Sequence, residues 1–339
     1  MKYFPVIIPT LNRYTHLRNC VESLARCTHA EETELVIGLD YPPHEKYKEG
    51  YQQIKSYIPT ITGFKKVTFF EHKENLGPNG NWAFLANYCK TNYGAYIATE
   101  DDNIFAPAFL DYINQALELF WDDERVVTVS GYNCEDAYDQ GEYASYLSKD
   151  NCSWGAGYWA HKENKYIKTL NDISYFKNVV YSRKKGRQII DIYPALYSML
   201  YYMVQQKAHW GDVMLTTMNI LEGTYQLRPA LSLVRNCGYD GSGINCETDD
   251  NGLSSQKISE AAIFVFSGGI GSSDTDANRE ALYNHALPKD VIKRNVKIQE
   301  IYKLYRCNTN PYYAFKDAFI KMRSKVAIRT RLRKVFCAL

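Results

Sequence analysis

The chain has 339 residues, with 40 Lys+Arg against 38 Asp+Glu and a formal net charge of +2. A hydrophobic content of 45% beside 23% charged residues is ordinary for a globular protein and excludes a disordered or collagen-like chain. No run approaches the ~18 consecutive apolar residues of a membrane span. Pro5 and Pro9 interrupt the apolar run near the N-terminus, so neither a spanning helix nor a signal peptide is expected. The nine cysteines are odd in number and contain no Cys-x-x-Cys pair, which argues for reduced thiols in a cytoplasm and against a disulfide framework or a zinc site.

In chain order, the first 130 residues alternate. Residues 3–8 form a short apolar run, and Leu17, Val21 and Leu24 follow at helical spacing. Residues 34–39 are a second apolar run, 45–57 a helical stretch, and 67–70 a third run. A helix with Trp82, Leu85 and Cys89 on one face precedes residues 95–99. Pro107 sits where a first helical turn tolerates it, ahead of Phe109, Ile113, Leu117 and Phe120, and residues 126–129 close the series. Strands alternating with helices imply right-handed crossovers and a mostly parallel, buried sheet. The second half is less regular. A Gly- and Trp-bearing stretch at 152–159 leads into helical patterns near 162–171 and 186–206, residues 236–256 read as loop, and helical pattern returns from about 289.

Charge is unevenly spread. Residues 316–334 carry eight basic side chains and one acid, a local +7 that leaves −5 for the rest of the chain, and apolar residues such as Phe319, Val326 and Leu332 are interleaved. Such a segment suits an anionic membrane surface or, equally, a solvated terminal helix. The acidic body disfavours nucleic acid as a partner.

In open α/β sheets, ligands bind beyond the carboxyl ends of the strands. Four expected strand ends here carry polar residues: Pro9-Thr10-Leu11-Asn12-Arg13, then Asp40, then the run from Glu71 through Asn75 and Gly77 to Asn79, then Glu100-Asp101-Asp102-Asn103. Three adjacent carboxylates raise one another's pKa unless a cation compensates them. Oxygen-rich sites of this kind suit Mg²⁺ or Mn²⁺, which take one or two protein carboxylates plus substrate phosphates. An acidic triplet alone is more simply a solvated turn favouring the next helix N-terminus; its place at the end of a buried strand, in a series of four polar ends, points to a metal. The P-loop and dinucleotide-binding glycine patterns are missing, and Ser267-Gly268-Gly269-Ile270-Gly271 fails their spacing. The run from Asp274 begins like a calcium loop, but Arg279 replaces its glycine and His285 its bidentate Glu.

Together these residues resemble the GT-A glycosyltransferases, particularly the family 2-like nucleotide-sugar transferases. Val6-Ile7-Ile8-Pro9-Thr10-Leu11-Asn12-Arg13 is similar to the opening strand and nucleotide loop, Asn75-Leu76-Gly77 with Asn81 and Asn87 to the third-strand segment, and Glu100-Asp101-Asp102 to the Asp-x-Asp position. The likeness covers residues 3–130 well. It continues more loosely through Ser153-Trp154-Gly155, His209-Trp210-Gly211-Asp212 and the stretch from Asn236 to Gly243.

What the resemblance implies is a GT-A, Rossmann-like, mostly parallel sheet flanked by helices. Residues 1–130 form its nucleotide-sugar half, 131–288 its acceptor-binding and catalytic half, and 289–339 a helical tail. Pro9, Thr10, Asn12, Arg13, Asn75, Gly77 and Glu100 belong to the donor pocket, with Asp40 on the base and Asp101 near the ribose and donor sugar. Asp102 ligates Mn²⁺ or Mg²⁺. Asp212 is the general base, with Asp240 in reserve, although Asp212 equally reads as a helix cap. Trp154, Gly155, Tyr158 and Trp210 lie on the acceptor side; for the aromatics, Trp159 included, core packing is the competing role. His285 reads as a third metal ligand or as structural, and Lys73 and Arg235 as phosphate contacts or surface charges.

The expected reaction is metal-dependent, inverting transfer of one sugar from a nucleotide-diphosphate sugar, UDP favoured, to a hydroxyl of a glycan or lipid-linked acceptor. The Gln-x-x-Arg-Trp motif of processive synthases is missing, which argues for single-sugar transfer. A sugar nucleotidyltransferase would open with a glycine-rich loop, and residues 9–14 contain no glycine. The remaining alternative is a non-catalytic nucleotide- or carbohydrate-binding protein.

Overall fold

The computed structural model describes residues 2–133, 144–243 and 253–270. The apolar runs of the first half are strands and the amphipathic stretches between them helices: β1 (Val6–Thr10), α1 (Tyr14–Ala25), β2 (Glu34–Leu39), α2 (Lys48–Tyr57), β3 (Lys66–Glu71), α3 (Gly77–Tyr93) and β4 (Ala95–Ala98). Every residue of β2 and β4 is buried, as expected of parallel strands covered on both faces. Helix α1 buries Leu17, Cys20, Val21 and Leu24, a single stripe at helical spacing. Helix α3 ends at Gly94, whose φ of +78° is the left-handed stop that glycine supplies most cheaply.

The chain then adds β5 (Asn103–Phe105), α4 (Phe109–Leu119), β6 (Val126–Ser130), β7 (Ala144–Ser148), β8 (Ala156–Trp159), α5 (Ala160–Leu170), α6 (Ile173–Tyr181), α7 (Arg183–Ile192), α8 (Pro194–Gln206), α9 (Gly211–Glu222), β9 (Tyr225–Pro229), β10 (Val234–Asn236) and β11 (Val265–Ile270). The 186–206 helical pattern resolves into two helices, α7 and α8, parted just before a proline that cannot sit in a helix interior. The Gly- and Trp-bearing stretch at 152–159 contains a strand, β8, and the expected loop at 236–256 begins with the last residue of another, β10.

Among the described residues, nine strands form one sheet in the order β11-β7-β9-β6-β8-β4-β1-β2-β3, and β5 pairs with β10 in a separate ribbon. Pairing is parallel along β4-β1-β2-β3 and between β6 and β9, while β8 runs antiparallel to both β4 and β6. Six strands (β1, β2, β3, β4, β6 and β9) therefore present their carboxyl ends on one edge, joined there by the amino end of β8. Strand order reverses at β1, since β2 and β3 lie on one side of it and β4 on the other. A crevice at such a switch point is where α/β sheets bind ligands.

The described residues divide into two compact units, the first within 2–167 and 224–270 and the second within 168–223. The first holds the sheet. Its core packs Ile7, Val36, Leu85, Cys89 and Tyr96 together, with the Tyr96 and Tyr158 rings stacked at 5.3 Å. Lys162 is buried there, its ammonium donating to the carbonyls of Phe120, Asp123 and Val126 at 2.6, 2.9 and 2.7 Å and so closing the end of α4. Helices α6 to α9 belong to the second unit, where the Tyr197 hydroxyl donates to the Val180 carbonyl at 2.8 Å. No helix among the described residues is long and apolar enough to cross a membrane. The helical pattern from 289, the basic run at 316–334, His285 and the run from Asp274 lie outside the described residues.

Candidate functional site

The site begins with a proline in a central strand. Backbone bonds from Thr99 to Ile7 and from Ile97 to Pro5 show that the odd residues of β1 face β4, so the missing N–H of Pro9 falls on that side. Pairing of β1 with β4 accordingly stops at Ile7↔Ala98, whereas β1 continues along β2 to Thr10↔Leu39. The sheet is left open between the ends of β1 and β4, at the switch point.

The expected residues converge on this opening. The Thr10 hydroxyl donates to Asp101 Oδ2 at 2.7 Å. The Arg13 guanidinium forks across both acids, pairing with Asp101 Oδ1 and, at 2.7 Å, with Asp102 Oδ2. Asp101 and Asp102 are only 4% and 2% exposed. Burial pushes the Asp101 carboxyl above its usual range, with Asp102 adding to the rise and Arg13 and Thr10 opposing it. Burial works against the Arg13 charge too, but the two carboxylates outweigh it and hold the guanidinium pKa above its ordinary value. The cation that three adjacent acids demand is thus partly supplied by the protein itself. Glu100, the first acid of the triplet, is exposed.

Asp40 and Asn75 also meet. Asp40 accepts the Tyr41 and Leu76 amides at 2.9 and 2.8 Å and the Asn75 side-chain amide at 3.1 Å, while Asn75 donates to the Tyr41 carbonyl at 2.7 Å. The pair pins the start of α3, where Gly77 takes a φ of +70°, to the end of β2. Asn12 is half-buried in the turn between β1 and α1.

A second layer comes from far along the chain and was not legible as such in the sequence. Asn236, at the end of β10, donates to Asp102 Oδ1 at 2.9 Å and to Asn103 Oδ1 at 3.0 Å. The Cys237 amide donates to the Asp102 carbonyl at 2.9 Å, and the Gly238 amide to Asn236 Oδ1 at the same distance. A Cβ on Gly238 would stand 2.1 Å from Asp102 Oδ2, so only glycine allows this approach. The only hint was that the stretch from Asn236 to Gly243 loosely continued the resemblance. Beyond this clasp, Asp240 accepts from His16 at 2.9 Å. Burial raises its pKa, but the bonds from Ser242 and His16 together outweigh it and bring the carboxyl down to about 2.

A cavity of about 300 Å³ opens beside Asp102, between α1 and the β5–β10 ribbon, with His16, Arg26, Ile104, Arg235 and Cys237 in its wall. Trp154 and Gly155 immediately precede β8 at the same sheet edge, and the Trp154 ring stands edge-on to Tyr132 at 4.7 Å and to Tyr239 at 6.4 Å. Tyr158 and Trp159 are core residues: Tyr158 is packed between Tyr96 and Trp82, and the Trp159 indole donates to the Leu117 carbonyl at 2.8 Å. Helix α3 on one face of the sheet, through Trp82, and α4 on the other, through Leu117, leave these rings buried. Trp210 is the N-cap residue of α9 in the second unit, its ring 5.7 Å from Tyr202, and Asp212 lies in the first turn of that helix.

The family model described as glycosyl transferase family 2 matches residues 6–189, more than half the chain. The chain belongs to glycosyl transferase family 2. The matched span includes β1, β4, Arg13 and both buried aspartates, and ends before the Asn236 clasp. Among solved structures, this family-2 chain is similar to S. aureus TarS residues 1–349 (10% identity, 97% of this chain, 74% of that one, TM-score 0.38). It is also similar to the mannosyltransferase PcManGT of Pyrobaculum calidifontis, solved with GDP-Man and Mn²⁺ (12% identity, 99% and 85%, TM-score 0.41). No curated protein matches the chain.

Proposed function

We propose that this family-2 glycosyltransferase moves one sugar from a nucleoside-diphosphate sugar, UDP being the favoured carrier, to a hydroxyl of a glycan or lipid-linked acceptor, with inversion at the anomeric carbon. The supporting observation is the Thr10–Arg13–Asp101–Asp102 cluster at the switch-point crevice, where a ligand's phosphates would meet fixed charge.

Asp102 suits Mg²⁺ or Mn²⁺. It is a hard oxygen donor in a cavity wall, and such ions commonly take one protein carboxylate and leave other positions to water and substrate phosphate. Among the described residues, no group of three His, Cys, Asp or Glu side chains is placed to hold an ion. When bound, the ion supplies Lewis-acid stabilisation of the diphosphate leaving group. Arg13 and Asn236 hold the Asp102 carboxylate in one orientation. Asp101, its oxygens taken by Thr10 and Arg13, positions the guanidinium at the end of β1. Asp40 and Asn75 shape the base end of the donor pocket. Asp212 takes the proton of the attacking hydroxyl, and a single displacement with one base inverts the sugar carbon. The basic run at 316–334 would keep a lipid-linked acceptor near through an anionic membrane surface.

Thermal-shift titrations with UDP, GDP, CDP and dTDP, with and without Mn²⁺, test the reading on the wild type and Asp102→Ala. A ligand at ~100 times its dissociation constant adds about 2.7 kcal/mol. One nucleotide should stabilise the wild type only with metal, and Asp102→Ala should lose the effect. If no nucleotide stabilises the wild type, the donor assignment is wrong.

A further inference from the structure

The cavity beside Asp102 carries charge that the donor does not account for. Each acid near it has its own cation: Asp102 pairs with Arg13 at 2.7 Å, Glu22 with Arg18 at 3.3 Å, and Asp240 with His16 at 2.9 Å. Two wall residues are left over. Arg26 closes α1 and Arg235 is the middle residue of β10, opposite Ile104; among the described residues neither guanidinium has an ion-pair partner. Among the described residues Arg235 Nε has no hydrogen-bond acceptor. The two guanidiniums thus bring positive charge to one cavity wall, and a wall of that charge suits an anionic ligand.

We infer that Arg26 and Arg235 receive a phosphate group carried by the acceptor. This rests on the donor reading above, because the donor fixes which side of Asp102 the cavity occupies. Thr10, Arg13, Asp40 and Asn75 are not among its lining residues, and Asp102 alone is shared. The cavity therefore extends from the ion and diphosphate at Asp102 away from the nucleotide residues, and its far wall, with Arg26 and Arg235, is assigned to the acceptor. Two guanidiniums match the charge of a phosphate and bind it through forked, charge-assisted hydrogen bonds. The volume is at the small end for ligand pockets, room for one phosphorylated unit rather than an extended chain.

Calorimetric titration of the full chain with glycerol 3-phosphate, and with glycerol as the neutral counterpart, decides the matter when run both with and without saturating UDP and Mn²⁺. Glycerol 3-phosphate should bind and glycerol should not, and UDP should leave that binding in place. Arg235→Gln and Arg26→Gln should each weaken it at least about tenfold, the loss of a charge-assisted hydrogen bond, with UDP affinity held within about twofold. Arg26 is exposed at a helix end, so its variant serves even if Arg235→Gln folds poorly. Displacement of glycerol 3-phosphate by UDP, or an equal loss of UDP affinity in Arg235→Gln, would hand the guanidiniums to the donor diphosphate and overturn the inference. No binding by the wild type, or unchanged binding in both variants, would also overturn it. A wild type that binds glycerol 3-phosphate but no nucleotide overturns the donor reading instead, and with it the assignment of this phosphate to the acceptor.

Discussion

Arg13→Ala is the most informative single change, because one side chain neutralises two buried acids. In the wild type Asp101 and Asp102 are almost fully buried, and the Arg13 side chain is itself only 17% exposed. Removing one partner of a buried ion pair typically costs about 3–5 kcal/mol, since the remaining charge stays desolvated and unpaired. The two pairs share one guanidinium and do not add. Arg13 also keeps some solvent contact, which places the expected loss near the lower end, about 3 kcal/mol. For a unit of this size that corresponds to a melting temperature lower by roughly 6–12 °C at pH 7.

The loss should depend on pH in a defined direction. Without Arg13, the Asp101 carboxyl, already raised by burial, loses the charge that opposes the rise and moves further above its unfolded value. Stability from a group with a raised folded pKa is complete below the unfolded pKa and is lost as pH rises through the folded one. The deficit of Arg13→Ala against wild type should therefore be small near pH 4 and widen towards pH 8. Paired urea denaturations at several pH values measure it directly. A deficit under about 1 kcal/mol, typical of exposed pairs, or one that is the same at pH 4 and pH 8, would refute the claim that Arg13 is the counter-cation of a buried acid pair.

Gly238→Ala puts a methyl group 2.1 Å from Asp102 Oδ2, forcing the carboxylate to move, and is expected to abolish Mn²⁺-dependent stabilisation by nucleotide in the same thermal-shift assay. Lys162→Met leaves three carbonyl oxygens without their donor; chemical denaturation should show a loss of about 3 kcal/mol, with nucleotide binding retained. Asp240 contributes stability that is present above its ordinary pKa of 3.8 and lost as pH falls towards about 2; the wild type should therefore lose its advantage over Asp240→Asn across that interval in acid titrations. A chain ending at residue 315 should no longer pellet with anionic vesicles while still binding nucleotide, and unchanged pelleting would dismiss the basic run as a membrane contact.

Much of the first half was legible because its signals are local. Residues 34–39 form a strand with no polar residue beyond Glu34, and Leu17, Val21 and Leu24 mark a helix by spacing alone. Thr10, Arg13, Asp40, Asn75, Asp101 and Asp102 stand out as candidates because strand ends concentrate ligand chemistry, a rule of topology rather than of any one side chain. What the sequence concealed is non-local. Tyr158 and Trp159 look like sugar-stacking aromatics until α3 and α4 are seen packed over them, through Trp82 and Leu117. Asn236 shows no sign in its neighbourhood that it will reach back to Asp102, 134 residues away. The role of Arg13 was half visible: its place at the site was, but the identity of the acids' counter-cation was not.

The short β10 ribbon strand has a consequence for how enzymes built this way diversify. One turn of chain clamps the Asp102 carboxylate through Asn236 and walls the adjacent cavity through Arg235 and Cys237. With the acceptor assigned to this cavity as inferred above, a substitution that reshapes the cavity will also tilt the carboxylate, and one that retunes the carboxylate will remodel the cavity. Changes of acceptor preference and of turnover are therefore inherited together. A library that randomises this segment should yield few variants altered in only one of the two properties, whereas changes on the opposite wall, along α1, leave the clasp intact and offer the freer route to new acceptors.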